Sequence, residues 1–299
     1  MSGESGGREA VVRVFRGDAS GGQEVEYRVP IEPGMVVLDA IHWIQAHRAP
    51  DLAVRWNCKA AKCGSCSAEV NGRPSLMCKT RMDHFAAGEA VSVRPMKTFP
   101  LIRDLVTDVS WNFEVNKRIA PFKPREGAEW KWQQSDVDRV QEFRKCIECF
   151  LCQDVCHVLR DRDQPALHAA QSQAAGGRAA ASKSFVGPRF MIRLASLEMH
   201  PLDTDDRVPE IRKEFGSGLC NITRCCTEVC PEHIGITDNG IIPLKERVVD
   251  RYYDPIAIVG RKLLGIRKRT KTRAEENGEP APAPSGASAR TKGSTGGAR

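Results

Sequence analysis

The chain has 299 residues, 41% of them hydrophobic and 28% charged, and a net charge of +7, which allows about two domains with sizeable cores. Its twelve cysteines are too sparse for a disulfide scaffold and are clustered as metal ligands are, and no apolar run approaches the ~18 residues of a membrane span. From Lys268 onward seven Lys/Arg stand against three Glu, with no aromatic residue after Arg273, which is the composition of a solvated tail and not of a nucleic-acid face.

Residues 1–10 (MSGESGGREA) read as a disordered polar arm; without an apolar segment or twin arginine there, secretion is not expected. Val11–Phe15 and Val25–Val29 predict two strands around a turn at Gly17–Gly22. Val37, Leu38, Ile41 and Ile44 recur at helical spacing and predict a helix over 36–47. Next comes Cys58-Lys-Ala-Ala-Lys-Cys63-Gly-Ser-Cys66, with Cys78 twelve positions on. C-x4-C-x2-C followed by a later cysteine is the spacing of a plant-type [2Fe-2S] cluster. The small residues Ala60, Ala61, Gly64, Ser65, Ser67 and Ala68 let backbone N–H groups approach the sulfurs. A four-cysteine zinc site is the alternative, although such sites usually use two separated C-x2-C knuckles and this segment has one. Asn71-Gly72 predicts a hairpin turn, Val91–Pro95 a last strand, and Leu101 to about Val115 an amphipathic helix leaving the first domain, with the boundary near residue 115. Hairpin, helix and cysteine loop follow one another in the order of a β-grasp ferredoxin.

Residues 120–134, with Pro121, Pro124, Gly127, Trp130 and Trp132, read as an irregular connector. A helix over Ser135–Lys145, capped by Ser135, leads into Cys146-Ile-Glu-Cys149-Phe-Leu-Cys152-Gln-Asp-Val-Cys156. Residues 164–184 are an Ala/Gln/Gly/Ser-rich insertion. A helix over Gly187–His200 places Phe190, Leu194 and Leu197 on one face. The second run is Cys220-Asn-Ile-Thr223-Arg-Cys225-Cys226-Thr-Glu-Val-Cys230-Pro231. Both runs fit C-x2-C-x2-C-x3-C, in which the last cysteine of each serves the cluster of the other. Cys146, Cys149, Cys152 and Cys230 then hold one [4Fe-4S] cluster. The other site receives Cys156, Cys220 and Cys226, and Thr223 fills its fourth place. Threonine supplies no thiolate, so a [3Fe-4S] cluster is expected. Cys225, one residue out of phase, is read as a buried structural thiol; as a ligand it would complete a second [4Fe-4S] cluster instead. Cross-ligation makes the folding of this helical domain depend on iron and sulfide. Residues 240–268 close the domain, and 269–299, including Pro280–Pro284, form a disordered, low-complexity tail.

A plant-type [2Fe-2S] domain before one complete and one three-ligand ferredoxin run resembles the iron–sulfur subunit of succinate dehydrogenase and fumarate reductase, over roughly residues 10–255. Arg55-Trp56-Asn57-Cys58, the Phe185, Gly187 and Pro188 segment, and Leu202, Asp203, Asp206 and Arg207 carry the similarity beyond the cysteines. Glu142–Cys152 is similar to the mycobacterial, actinobacterial branch. The resemblance implies an α+β chain: a β-grasp [2Fe-2S] domain followed by an all-α bacterial-ferredoxin-like domain. It assigns the same three cysteine sets, and it implies electron relay from FAD of a flavoprotein subunit to a membrane quinone (menaquinone in that branch). The implied place is the cytoplasmic face of the cell membrane, beside an integral membrane anchor. A relay subunit for another flavoprotein is the alternative. No residue reads as a catalytic acid, base or nucleophile. The chain departs from the family where many members carry Pro after the cysteine matching Cys156 and some carry a nearby tryptophan. Here His157 follows, a candidate contact for quinone or for a cluster sulfur. Asn221 stands where some members have histidine. Lys59, Lys62, Arg144, Lys145 and Arg224 adjoin ligands, where positive charge raises cluster potentials electrostatically; each taken singly reads as a surface charge with a small effect.

Overall fold

The computed structural model describes residues 8–127, 133–160 and 185–263. Residues 1–7, Trp130, Trp132, the 164–184 insertion and the 269–299 tail lie outside the described residues.

β1 (Arg8–Asp18) and β2 (Gly21–Ile31) pair antiparallel around Ala19-Ser20. The hairpin is longer than its apolar residues indicate, and Arg8, Glu9 and Ala10 belong to strand, not to the arm. Ladder hydrogen bonds carry that extension, with cross-strand polar pairs such as Arg13 Nε to Glu26 Oε2 at 3.2 Å. α1 (Val37–His47) lays Val37, Leu38, Ala40, Ile41 and Ile44 into the same core as Val12 and Val14, as its periodicity predicts. β3 (Ser67–Val70) and β4 (Arg73–Leu76) turn at Asn71-Gly72, both with positive φ. β5 (Val91–Arg94) then inserts parallel to β1 and antiparallel to β3. Pro74 sits on the edge strand, where its missing N–H costs no ladder bond.

Leu101–Val115 does not form the expected helix. Leu101–Arg103 (β6) and Val106–Thr107 (β7) make a short hairpin, and helix begins at α2 (Ser110–Arg118). Asp104, buried and with φ +50°, is the reason. Its carboxylate accepts Gly17 N and Ala53 N, both at 2.9 Å, and Arg16 Nε at 3.1 Å. These tertiary partners hold a turn that a 3.6-residue apolar pattern does not disclose, and Ile102 is left exposed.

The second half is built from helices and one isolated bridge, Pro124 to Asp203, among the described residues. Val115 and Ile119 pack into its core with Phe143, Phe185, Phe190, Phe215 and Leu244, so the boundary expected near residue 115 falls inside α2. α3 (Gln134–Gln141) tightens into a turn over Glu142–Lys145. Gln133 precedes α3 and no side chain caps it; Ser135, the expected cap, is its second residue. α4 (Leu151–Asp154) and α5 (His157–Arg160) follow the first long cysteine run. α6 (Pro188–Glu198) starts after Gly187, whose φ of +98° ends the preceding extended segment. α7 (Val208–Lys213), α8 (Cys225–Glu228), α9 (Ile242–Tyr252) and α10 (Pro255–Leu263) complete the order. Among the described residues no helix is long and apolar enough to cross a membrane.

The halves are bolted together by buried charge. Glu69 on β3 is fully buried and pairs with Arg160 of α5 and with Lys97 Nζ at 3.1 Å. Arg160 also reaches Asp154 Oδ2 at 3.4 Å, and Asp154 Oδ1 accepts Thr98 N at 3.0 Å.

Candidate metal centres

The three cysteine segments share one backbone device. Lys59 and Ala61, Glu148 and Phe150, and Ile222 and Arg224 are six of the nine non-glycine residues with positive φ among the described residues. That conformation costs roughly 1–2 kcal/mol per residue and persists only where other interactions over-determine it. Its effect is to swing successive N–H groups inward as an anion-binding concavity. Ala60 N and Lys62 N lie 3.3 and 3.4 Å from Cys58 Sγ, and Cys58 N lies 3.5 Å from Cys63 Sγ. Glu148 N and Leu151 N donate to the sulfurs of Cys146 and Cys149.

In the first segment Cys63 is surface-near and Cys66 and Cys78 are buried. Burial pushes the Cys63 thiol up, but the Ser65 hydroxyl and the N–H groups of Cys58 and Ser65 outweigh it and bring the thiol down to about 7. Burial, with the neighbouring Cys78 thiol, pushes Cys66 up to about 12.

Cys146, Cys149, Cys152 and Cys230 surround a small cavity whose other walls include Ile147, Ile192, Ile234, Ile236, Glu232 and Arg189. Cys230 comes from the second run and meets three cysteines of the first. Burial pushes Cys149 up to about 12 and Cys152 well above its ordinary value, each with added repulsion from the other thiols. Burial thus disfavours free thiolates at Cys149 and Cys152, and holding metal there releases protons.

The third gathering is Cys156, Cys220 and Cys226. Burial pushes Cys156 and Cys226 up to about 11; among the other thiols Cys225 acts most strongly on both, ahead of Cys226 on Cys156 and of Cys220 on Cys226. Thr237 Oγ1, buried, lies 3.4 Å from Cys226 Sγ and accepts from Thr227 Oγ1 at 3.1 Å, which leaves its own proton for the sulfur. The two long runs repeat each other position by position. Glu148 and Ile222 are left-handed, Phe150 and Arg224 are left-handed, and α4 matches α8. Thr223 therefore stands where Cys149 stands, and Cys225 where the buried Leu151 stands. Cys225 is half-buried rather than enclosed, with its Sγ 3.4 Å from Thr223 Oγ1. His157 contacts Asn221 Nδ2 at 2.6 Å and Thr223 Oγ1 at 3.5 Å, so the two positions that depart from the family pattern touch each other.

The sites lie in a row. Gly64, between Cys63 and Cys66, packs so tightly on Cys149 that a Cβ there would fall 2.5 Å from the Cys149 Cα. Ser67 Oγ lies 2.8 Å from Cys149 O and 2.9 Å from Gly64 O. At the other end, Cys152 feels the charge of Cys226. Among the described residues no three or more His, Cys, Asp or Glu side chains converge on one point as a single ion requires. Four thiols around a cavity, with N–H groups on the sulfurs, fit iron–sulfur clusters in which the metal is spread over several atoms.

The charges beside the cysteines in sequence are exposed. Lys62 pairs with Glu232 at 3.5 Å and Arg224 with Asp238 at 2.6 Å, both largely exposed. Lys59 lies over the Trp56 ring at 5.0 Å, and Arg144 and Lys145 are exposed. Thr237 and Arg189, distant from most of the ligands in sequence, were not signalled by any spacing.

Two family models match the chain, a 2Fe-2S iron-sulfur cluster binding domain over residues 11–114 and a 4Fe-4S dicluster domain over residues 142–234. A chain of the Mycobacterium smegmatis Sdh1 complex in the apo form is 56% identical, with a TM-score of 0.75, covering 84% of this chain and 99% of that one. The fumarate reductase iron-sulfur subunit of Mycobacterium tuberculosis is 28% identical over 70% of this chain and 79% of its own length. An uncharacterized iron-sulfur protein of Methanococcus maripaludis is 27% identical over 77% of this chain, which spans 42% of that relative's length.

Proposed function

The chain belongs to the family of succinate dehydrogenase and fumarate reductase iron–sulfur subunits, whose role is electron relay, and we propose that it links succinate oxidation on a flavoprotein to quinone reduction at a membrane. Cys58, Cys63, Cys66 and Cys78 hold [2Fe-2S]; Cys146, Cys149, Cys152 and Cys230 hold [4Fe-4S]; Cys156, Cys220 and Cys226 hold [3Fe-4S]. Bound there, the clusters supply one-electron transfer between partners that each exchange two. The partners in this reading are an FAD-bearing subunit on the Cys58 side and an integral anchor on the Cys220 side, at the cytoplasmic face of the cell membrane, with menaquinone as acceptor. The α+β pattern supports a β-grasp ferredoxin domain followed by an all-α ferredoxin-like domain.

One observation carries the reading: the contact of Gly64 with Cys149 sets the first two sites against each other without a side chain between them. The residues of this chain act by position. Buried Ser67 and Gly64 fix the spacing, N–H groups and the Thr237 hydroxyl bias the sulfurs, and apolar walls keep water from the middle site. The repeat that puts Thr223 in the place of Cys149 supports the three-iron assignment. His157, with Asn221, stands at the rim of that site and is the residue proposed to contact quinone or a cluster sulfur.

The test is EPR of the anaerobically purified, oxidised protein, with iron and sulfide counted on the same sample. About nine irons per chain and a [3Fe-4S]-type signal near one spin support the assignment. A silent spectrum with about ten irons means that Cys225 completes a second [4Fe-4S] cluster and defeats it. Co-purification with a succinate-oxidising flavoprotein and a membrane anchor tests the partners; a different flavoprotein replaces the first reading with the alternative.

A further inference from the structure

We propose that Arg189 is a positioning charge that raises the reduction potential of the middle cluster, an inference that rests on the [4Fe-4S] assignment above. Arg189 is the second residue of α6, far in sequence from the cysteines it accompanies. It lines the cavity walled by Cys146, Cys149, Cys152 and Cys230, and only 6% of its surface is exposed. Its backbone N–H donates to Gln153 Oε1 at 3.3 Å, and Gln153 is itself fully buried between Cys152 and Asp154 in sequence. Gln153 Nε2 donates in turn to Val186 O at 3.0 Å. The start of α6 is thereby pinned to the first cysteine run.

Among the described residues the guanidinium has one acidic partner, Glu148, through Nη2. Glu148 lies between two ligands, and its left-handed backbone is part of the sulfur-facing turn. The pair is unequal: the Glu148 side chain is 49% exposed and the Arg189 side chain 7%. Water and salt screen the Glu148 carboxylate far more than the guanidinium; Glu232 also lines the cavity but is paired with Lys62 at 3.5 Å, so Arg189 is the most deeply buried charge on the cavity wall. Arg189 Nε is buried with no hydrogen-bond partner among the described residues. An unsatisfied buried N–H of a charged group is costly, and an electron-rich sulfur in the cavity is an acceptor that removes the cost.

A positive charge buried beside a group that gains an electron stabilises the reduced form, and cluster potentials respond to charge and hydrogen bonds at sulfur. The experiment is an anaerobic redox titration of the whole protein followed by EPR, comparing the parent with R189Q and R189K. R189Q is expected to weaken reduction of the [4Fe-4S] cluster at least tenfold, about 59 mV for one electron. The [2Fe-2S] potential, measured in the same titration, should move far less. R189K, which keeps the charge, should recover most of the shift. An R189Q protein with full iron and an unmoved [4Fe-4S] potential overturns the proposal. If R189Q loses iron, E148Q and the E148Q/R189Q double variant replace the comparison, because neutralising both groups strands neither. Equal potentials in that pair overturn it, and a lower potential in the double variant supports it. An EPR signature showing no [4Fe-4S] cluster in the parent defeats the cluster assignment itself, a distinct failure.

Discussion

Substituting Gly64 by alanine tests whether the first and middle sites are held by backbone contact. The added Cβ would lie 2.5 Å from Cys149 Cα, 2.8 Å from Cys149 Cβ and 2.9 Å from Cys149 N. None of these is the end of a flexible side chain, so the loop or the run has to move. At φ +68° alanine also carries the left-handed penalty, roughly 1–2 kcal/mol. Overpacking a tight contact adds roughly 1–3 kcal/mol, and together G64A should lose about 2–5 kcal/mol. Urea denaturation of the anaerobic holoprotein reads the loss. EPR of the reduced protein reads the structural cause, because spin–spin broadening between the first two clusters weakens as the loop is pushed off Cys149. The partner variant S67A removes only the hydroxyl that joins Gly64 O and Cys149 O, and should cost about 1–3 kcal/mol. G64A within about 0.5 kcal/mol of the parent, the range of a neutral surface change, with unchanged broadening, would refute the contact.

R160M leaves Glu69 and Asp154 buried without their guanidinium and should cost about 3–5 kcal/mol in the same denaturation; an unchanged midpoint would mean that Lys97 alone satisfies the pair. Chelation of iron should melt much of the helical signal in far-UV circular dichroism, since the cysteines of the second half are its cross-links, and a spectrum identical to the holoprotein's would show a self-sufficient core. Reloading iron and sulfide should slow steeply on acidification. Burial holds Cys149, Cys156 and Cys226 at about 12, 11 and 11, so each must lose a proton that lower pH makes harder to lose; a rate independent of pH counts against thiolate ligation there. C225S should keep its iron and its [3Fe-4S]-type signal, because Cys225 occupies the position of Leu151 in the repeat, and loss of one iron's worth of binding would make Cys225 a ligand.

The cysteine groups were legible in the primary structure because cysteines three to five residues apart are placed by a few consecutive dihedrals, and the spacing is the geometry. The helix over 36–47 was legible for the same local reason, its buried residues falling every third or fourth position. The span 101–115 was not: its apolar spacing suits a helix, yet Asp104 finds Gly17, Ala53 and Arg16 in other elements and makes a turn. Ser135 looks like a cap in sequence, but the chain enters α3 two residues earlier and leaves it inside. Arg189, Thr237 and Glu69 could not be placed at their sites by any spacing, since each acts on residues brought near only by folding. What the sequence by itself determined is which cysteines are grouped and how many thiolates each group can offer. The tertiary structure alone decided that Gly64 meets Cys149 and that a guanidinium is sealed into the middle cavity, because contacts between distant segments depend on how whole elements pack and leave no periodic trace in either segment.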